Sequence, residues 1–262
     1  MIEVIKSADD LARQKWDVLV PTMGALHAGH QSLIESAKNK GEKVIVSIFV
    51  NPLQFENKKD LDNYPKTLDS DLKIAEAVGA SAIFLPAEAT IYPSNIEKIP
   101  SGYLGDLYEG ASRPGHFSGV LTVVKRLFDL VKPRSAIFGE KDFQQLFLIK
   151  QMVKQLNLPI EIISSPTIRN TAGLALSSRN IRLTKEDEKI AQIIYKALTK
   201  NSLEEIRMVI STEPGFKLDY LEMIDEATFE KANSATVNKR VIVAGWVNQL
   251  RLIDNMPMGL SK

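Results

Sequence analysis

The sequence predicts an α/β protein, a doubly wound and mostly parallel sheet followed by a smaller C-terminal α+β domain. Short β-rich runs alternate with helical patterns of about ten to sixteen residues through the first part of the chain, and connections that long imply right-handed crossovers between parallel strands. Beyond about residue 175 the alternation stops, and one helix is followed by three strand-like runs. These two patterns divide the chain into an expected sheet domain, 1–174, and an expected smaller domain, 175–262.

Taken in order, 17–22 (DVLVPT) is a strand, 28–40 a helix stopped by Gly41, and 43–50 (KVIVSIFV) a continuous apolar strand of the kind buried on both faces. A helix over 69–78 ends at Gly79 and leads to a strand at 81–85. A long loop rich in Pro and Gly follows from 86 to about 117. The spacing then gives a helix over 119–132, a strand at 135–138, a helix over 142–157 and a strand at 160–164. After the loop 165–182, read as a hinge, come a helix over 185–200 and strands at 217–224, 240–247 and 249–253.

Composition narrows the function. With 44% hydrophobic residues in 262 the chain buries a sizeable core, while 33 basic against 32 acidic side chains leave a net charge of +1 and no bulk field for nucleic acid or a membrane surface. An anion site must therefore be local. There is no apolar run of the roughly 20 residues that spans a bilayer and no signal-peptide pattern in Met1-Ile2-Glu3-Val4-Ile5-Lys6, so a cytoplasmic location is expected. With no cysteine, disulfides, thiolate nucleophiles and Cys-ligated zinc are excluded, and imidazole chemistry must draw on His27, His30 or His116.

The most informative segment joins the first of these strands to its helix: Pro21, Thr22, Met23, Gly24, Ala25, Leu26, His27, Ala28, Gly29, His30. Ligands of doubly wound sheets sit at the carboxyl ends of the strands, helix N-terminal amides form an anion site, and Gly24 and Gly29 allow phosphate close to the backbone. Two histidines three apart on one helical face can reach the same phosphate. An isolated His-x-x-His is equally compatible with a helix start carrying two surface histidines. Zinc is disfavoured, because no acidic ligand lies close in sequence. The order strand, Gly turn, His-x-Gly-His, helix is similar to the nucleotide site of the nucleotidyltransferases and class I aminoacyl-tRNA synthetases. A second constellation, Gly139-Glu140-Lys141-Asp142-Phe143-Gln144-Gln145, again lies between a strand and a helix. It offers Lys141 as a phosphate partner, and Asp142 as helix N-cap or as acceptor for ribose hydroxyls. A third, Leu176-Ser177-Ser178-Arg179-Asn180, puts two hydroxyls and a guanidinium in the expected hinge loop.

Together with FVNPLQF (49–55), YPKT (64–67), RPGHF (113–117) and RLIDN (251–255), these motifs occur in the order found in the pantothenate synthetase family, which the chain resembles over nearly its whole length. The resemblance implies a Rossmann-like nucleotidyltransferase domain and a ligase that joins pantoate to β-alanine through a pantoyl adenylate, consuming ATP with bound Mg2+. It implies ATP contacts at Met23, Gly24, Ala25, Leu26, His27, Ala28, Gly29, His30, Gly139, Glu140, Lys141, Asp142, Ile168, Leu176, Ser177, Ser178 and Arg179. Gln54 and Gln145 would hold pantoate, with Gln54 also near β-alanine. His30 would be the proton donor, acting with His27 and Lys141. No metal ligand on the protein, no organic cofactor, no nucleic acid and no membrane partner are expected, and the family pattern implies a homodimer.

The chain departs from the family at Ser70, where an uninterrupted acidic run is common, at Ala172, where Asp is usual, and at Ser165, where a small hydrophobic residue is usual. Two other functions fit the same fold: a nicotinate-mononucleotide adenylyltransferase, and a non-catalytic nucleotide- or RNA-binding module. The neutral Gln54 and Gln145 disfavour a phosphate acceptor, and the near-zero net charge disfavours RNA.

Overall fold

In the computed structural model, which describes residues 2–55 and 58–258, six strands make one all-parallel sheet. Met1, 56–57 and 259–262, which the expected domain spans include, lie outside the described residues. The chain separates into two compact units, Met1–Glu140 with Gln144–Pro166, and Lys141–Phe143 with Thr167–Lys262. The second unit thus opens at Thr167, ahead of the expected position near 175, and takes in three residues from the second motif.

The first unit holds β1 (Glu3–Ile5), β2 (Val18–Thr22), β3 (Val44–Ile48), β4 (Ala82–Phe84), β5 (Ser135–Gly139) and β6 (Glu161–Ser165) in the order β1-β4-β3-β2-β5-β6. From β2 the chain winds outward through β3 and β4, then returns to the other side of β2 with β5 and β6. That reversal between β2 and β5 is the switch point at which such sheets bind ligands. The helices are α1 (Ala8–Ala12), α2 (Ala28–Lys38), α3 (Lys58–Asp62), α4 (Leu68–Ala77), α5 (Glu88–Ile91), α6 (Glu109–Ser112), α7 (His116–Val131) and α8 (Phe143–Gln155). Val18, Val20, Val44, Val46 and Ile137 of the sheet pack with Ile34 and Ala37 of α2 and Ala75 of α4. Burial of the valine and isoleucine side chains, each worth about 1.5–3 kcal/mol, fixes the sheet and with it the strand exits.

In the first unit β1, α1, α3, α5 and α6 were not expected. β1 and α1 are short; α1 is capped by Ser7, whose hydroxyl accepts the Asp10 N–H. The loop 86–117 contains α5, α6 and the 3-10 turn Tyr103–Asp106. α7 begins at His116 rather than at residue 119, because left-handed Gly115 (φ +78°) turns the chain into the helix.

The second unit pairs β7 (Phe216–Asp225), β8 (Lys239–Val247) and β9 (Leu250–Met258) as an antiparallel sheet with β8 in the middle. α9 (Lys185–Leu198) and the unexpected α10 (Leu203–Ser211) cover it through Ile194, Leu198, Ile206 and Ile210, against Val241 and Val243.

Candidate active site

At the exit of β2 the Thr22 hydroxyl donates to the Ser47 carbonyl at 2.7 Å and accepts the Gly24 N–H at 3.2 Å. Gly24 and Ala25 are both left-handed (φ +81° and +51°), a conformation that costs a residue with a Cβ roughly 1–2 kcal/mol. What holds the turn is the carboxylate of buried Asp71 on α4. It accepts the Ala25 N–H at 3.0 Å, the Leu26 N–H at 2.8 Å and the Thr67 hydroxyl at 3.1 Å.

The chain then enters α2 through a reciprocal cap built from the two histidines. His27 is the extended N-cap residue, and its Nδ1 accepts the Gly29 N–H at 3.1 Å; His30 lies in the first turn, and its Nδ1 accepts the His27 N–H at 3.3 Å. The rings lie 4.1 Å apart, centroid to centroid. The structure therefore brings the two imidazoles together, but by mutual capping and not, as expected, by projection from one helical face, since His27 precedes the helix. The amides of Gly24, Ala25, Leu26, His27 and Gly29 all donate within the protein. With Nδ1 accepting, each neutral ring carries its hydrogen on Nε2, the tautomer that donates to an anion.

The exit of β3 supplies Gln54, at the end of the 3-10 turn Pro52–Gln54. Its side-chain Nε2 donates to Met23 Sδ at 2.9 Å and its Oε1 accepts from Asn51 Nδ2 at 3.0 Å. Buried Asn51 also donates to the Gly119 carbonyl at 3.1 Å, and its Oδ1 accepts the Tyr92 hydroxyl. Burial, and secondarily Glu88, pushes the Tyr92 phenol up, which keeps it a donor. The Gln54 carbonyl is held by Arg113 Nη2 at 3.2 Å and by His116 Nδ1 at 2.9 Å, while Arg113 Nη1 lies 3.1 Å from His116 Nε2. A guanidinium cannot accept, so His116 Nε2 accepts and Nδ1–H donates to Gln54. The segment 113–117 thus orients Gln54 by its backbone, leaving the amide side chain directed by Asn51 and Met23.

Of the second motif, Gly139 ends β5, paired with Ser165, and half-buried Glu140 opens a 3-10 turn. Asp142 closes that turn, half-exposed, with Lys141 Nζ 3.9 Å from its carboxylate. Gln144 is not a candidate ligand, because its buried amide donates to the Leu104 and Leu107 carbonyls at 2.8 and 2.9 Å and accepts the Glu109 N–H at 3.1 Å. Its neighbour Gln145 is half-buried on α8.

Within the second unit, the Lys141 carbonyl accepts Asn255 Nδ2 at 2.9 Å. Phe143 lies beneath the Arg240 guanidinium at 4.0 Å and stacks with Phe229. The Leu176 N–H donates to the Ile168 carbonyl at 2.9 Å, and Ser177 caps the 3-10 turn Ser178–Arg182 by accepting the Arg179 N–H at 3.3 Å. Ile168, Leu176, Ser177, Ser178 and Arg179 therefore belong to one folded loop. Among the described residues no group of three His, Asp or Glu side chains forms a metal cage, and no helix is long and apolar enough to cross a membrane.

Asp71, Asn51, Arg113 and His116 are the residues that sequence reasoning left without a role in the site. Asn51 and the segment 113–117 stood inside quoted motifs, but only the packing of α7 on the turn at 52–54 reveals what they hold. Of the departures, Ser70 and Ala172 are exposed, whereas Ser165 is buried and its hydroxyl finds no partner among the described residues.

A family model described as pantoate-beta-alanine ligase matches residues 2–257. The chain is 47% identical over 255 residues to a pantothenate synthetase of Acidothermus cellulolyticus, covering 91% of this chain and 84% of that one. It is similar to a crystal structure of pantothenate synthetase from Thermus thermophilus, with a TM-score of 0.93, 38% identity and coverage of 97% and 99%. It is also similar to pantoate-beta-alanine ligase from Francisella tularensis, complexed with beta-gamma ATP and beta-alanine, with a TM-score of 0.84, 41% identity and coverage of 98% and 97%.

Proposed function

Since the chain belongs to the pantoate–β-alanine ligase family, we propose that it condenses pantoate with β-alanine through a pantoyl adenylate, releasing pyrophosphate and AMP. The observation that carries the proposal is Gln54 fixed against Met23. A neutral, oriented amide stands in contact with the histidine-capped turn, so the side chain suited to a hydroxy acid and the element suited to a nucleotide meet at adjacent strand exits.

In the first step a pantoate carboxylate oxygen attacks the α-phosphorus and pyrophosphate leaves. The carboxylate is already ionised at neutral pH, so no general base is needed. What the step requires is stabilisation of charge growing on the phosphates. We assign this to the Nε2–H donors of His27 and His30 and to Lys141, Ser177, Ser178 and Arg179, with His30 the proton donor. Residues 23–30, Gly139, Glu140, Asp142, Ile168 and Leu176 complete the proposed ATP contacts. In the second step the β-alanine amine attacks the acyl carbon, AMP departs, and the amine nitrogen gives up a proton. Gln54 and Gln145 hold pantoate, and Gln54 also neighbours β-alanine.

Magnesium is a hard cation that takes one or two protein carboxylates alongside substrate phosphates. Magnesium arriving on the triphosphate would supply further charge neutralisation there. We place the enzyme in the cytoplasm as a homodimer; sedimentation showing only monomer at micromolar concentration would remove the dimer.

The decisive experiment is isotope exchange between pyrophosphate and ATP. Exchange should require pantoate and magnesium but not β-alanine. Exchange that appears only with β-alanine overturns the adenylate, and exchange supported by nicotinate mononucleotide in place of pantoate overturns the substrate.

A further inference from the structure

We propose that Asp71 is a positioning residue for the reaction: its carboxylate builds the turn at 24–26 that delivers the paired histidines, and it acts through His30 rather than on substrate or metal. The proposal rests on reading His30 as a phosphate donor.

The turn is an improbable one for its sequence. Two consecutive residues are left-handed, and the second, Ala25, carries a Cβ. What ties it down comes from far along the chain, since the Ala25 and Leu26 amides donate to a side chain more than forty positions away. Asp71 is 1% exposed, and both of its oxygens are used, Oδ2 by Ala25 and Oδ1 by Leu26 and Thr67. Each amide–carboxylate bond is charge-assisted and about twice as strong as a neutral one. Gly24 approaches its neighbours closely, since a Cβ there would stand 3.0 Å from Asp71 Oδ2 and 3.1 Å from Ile48 Cγ2. The α4 helix is thereby tied to the entrance of α2, and Thr67, the α4 N-cap residue, turns its hydroxyl to Asp71 instead of capping its own helix.

Removing the carboxylate takes the shared acceptor from the Ala25 and Leu26 amides and the brace from a left-handed alanine. The turn relaxes, and the reciprocal cap one residue further on moves with it. Displacements approaching 1 Å in a positioned donor cost up to about a hundredfold in rate.

The test is a double-mutant cycle on adenylate formation, measured by quench, with Asp71→Asn, His30→Ala and the double variant. We expect Asp71→Asn to slow adenylate formation about 10- to 100-fold in the wild-type background and less than threefold in the His30→Ala background, with the half-saturating magnesium concentration unchanged. Equal losses in both backgrounds overturn action through His30. A loss reversed by raised magnesium overturns it in favour of a metal role. If His30→Ala itself keeps full rate, the reading of His30 fails and the cycle reports that separately. Should Asp71→Asn not fold, Thr67→Val removes one of the three bonds. Faster hydrogen exchange at the Ala25 and Leu26 amides with a smaller rate loss supports the proposal, and unchanged exchange with unchanged rate overturns it.

Discussion

Gly119→Ala is the most direct probe of how Gln54 is placed. A Cβ built on Gly119 meets the Leu53 carbonyl oxygen at 2.4 Å, its carbon at 2.6 Å and the Gln54 nitrogen at 3.0 Å. A carbon–oxygen contact settles at roughly 3.3 Å, so the turn at 52–54 and α7 must part by roughly 0.9 Å. Neither partner yields easily. The Gly119 carbonyl accepts from Asn51, and the Gln54 carbonyl is gripped by Arg113 and His116. Overpacking of this kind costs about 1–3 kcal/mol of stability. A misplacement near 1 Å at a substrate-positioning residue costs up to about a hundredfold in rate. We expect kcat/KM for pantoate to fall about 10- to 100-fold while the Kd for ATP moves less than threefold, read by steady-state kinetics and equilibrium ATP titration on protein shown folded by circular dichroism. A folded variant with wild-type kcat/KM for pantoate would refute the placement of Gln54 by this packing, as would equal losses for ATP and pantoate.

Three further outcomes are expected. His30→Ala should lower the rate of adenylate formation about 10²- to 10³-fold with little change in ATP affinity, whereas Lys141→Ala should weaken ATP binding as well; His30→Gln restores an acceptor for the His27 N–H, so a rate loss persisting there isolates the chemistry from the cap. Asp17 accepts from the amides of Lys43 and Glu42 and from Arg134, and these bonds, the Lys43 amide foremost, lower its pKa. Its contribution is therefore present above the unfolded carboxylate pKa and lost as pH falls through the folded one, so the Tm difference between wild type and Asp17→Asn should close between about pH 5 and pH 2; a gap constant over that range counts against it. Ser165→Ala removes an unpartnered buried hydroxyl and should leave the urea midpoint unchanged or raise stability by up to about 1 kcal/mol, whereas a drop would mean that the hydroxyl has a partner.

The parallel sheet was legible because β2 and β3 are mostly apolar runs and helical patterns of about ten to sixteen residues separate the strands. The loop 86–117 was not, since α5 and α6 have only four residues each, no side-chain cap and, at Tyr108, a positive φ that no composition rule announces. α10 does carry a legible signal, Ser202 accepting the Glu205 N–H, but nine residues give its period little room to show. Met23, His27, His30 and Gln54 could be picked out as residues, yet their geometry could not. The Asp71 brace joins residues more than forty positions apart, where a single sequence carries no pairing information, and the mutual histidine capping, though local, depends on ring orientations that the sequence does not carry. The C-terminal sheet was anticipated in number of strands, but β9 runs through Pro257 to Met258, well past the expected end at residue 253, because an edge strand tolerates a missing amide.

The Asn255–Lys141 bond joins residues 114 positions apart, and Phe143 owes its surroundings to Phe229 and Arg240. On a ribosome, then, the segment that carries Lys141 is synthesised long before the strand that secures it, and β5 and α8 emerge with their connecting turn still unanchored. A truncated chain ending at residue 166 would keep the lysine and the whole parallel sheet, and yet leave the Lys141 carbonyl and the Phe143 ring exposed to water. Designs that exchange the C-terminal sheet between relatives consequently exchange the support of a residue nearly half a chain upstream, and Phe229, Arg240 and Asn255 must travel with it as a set.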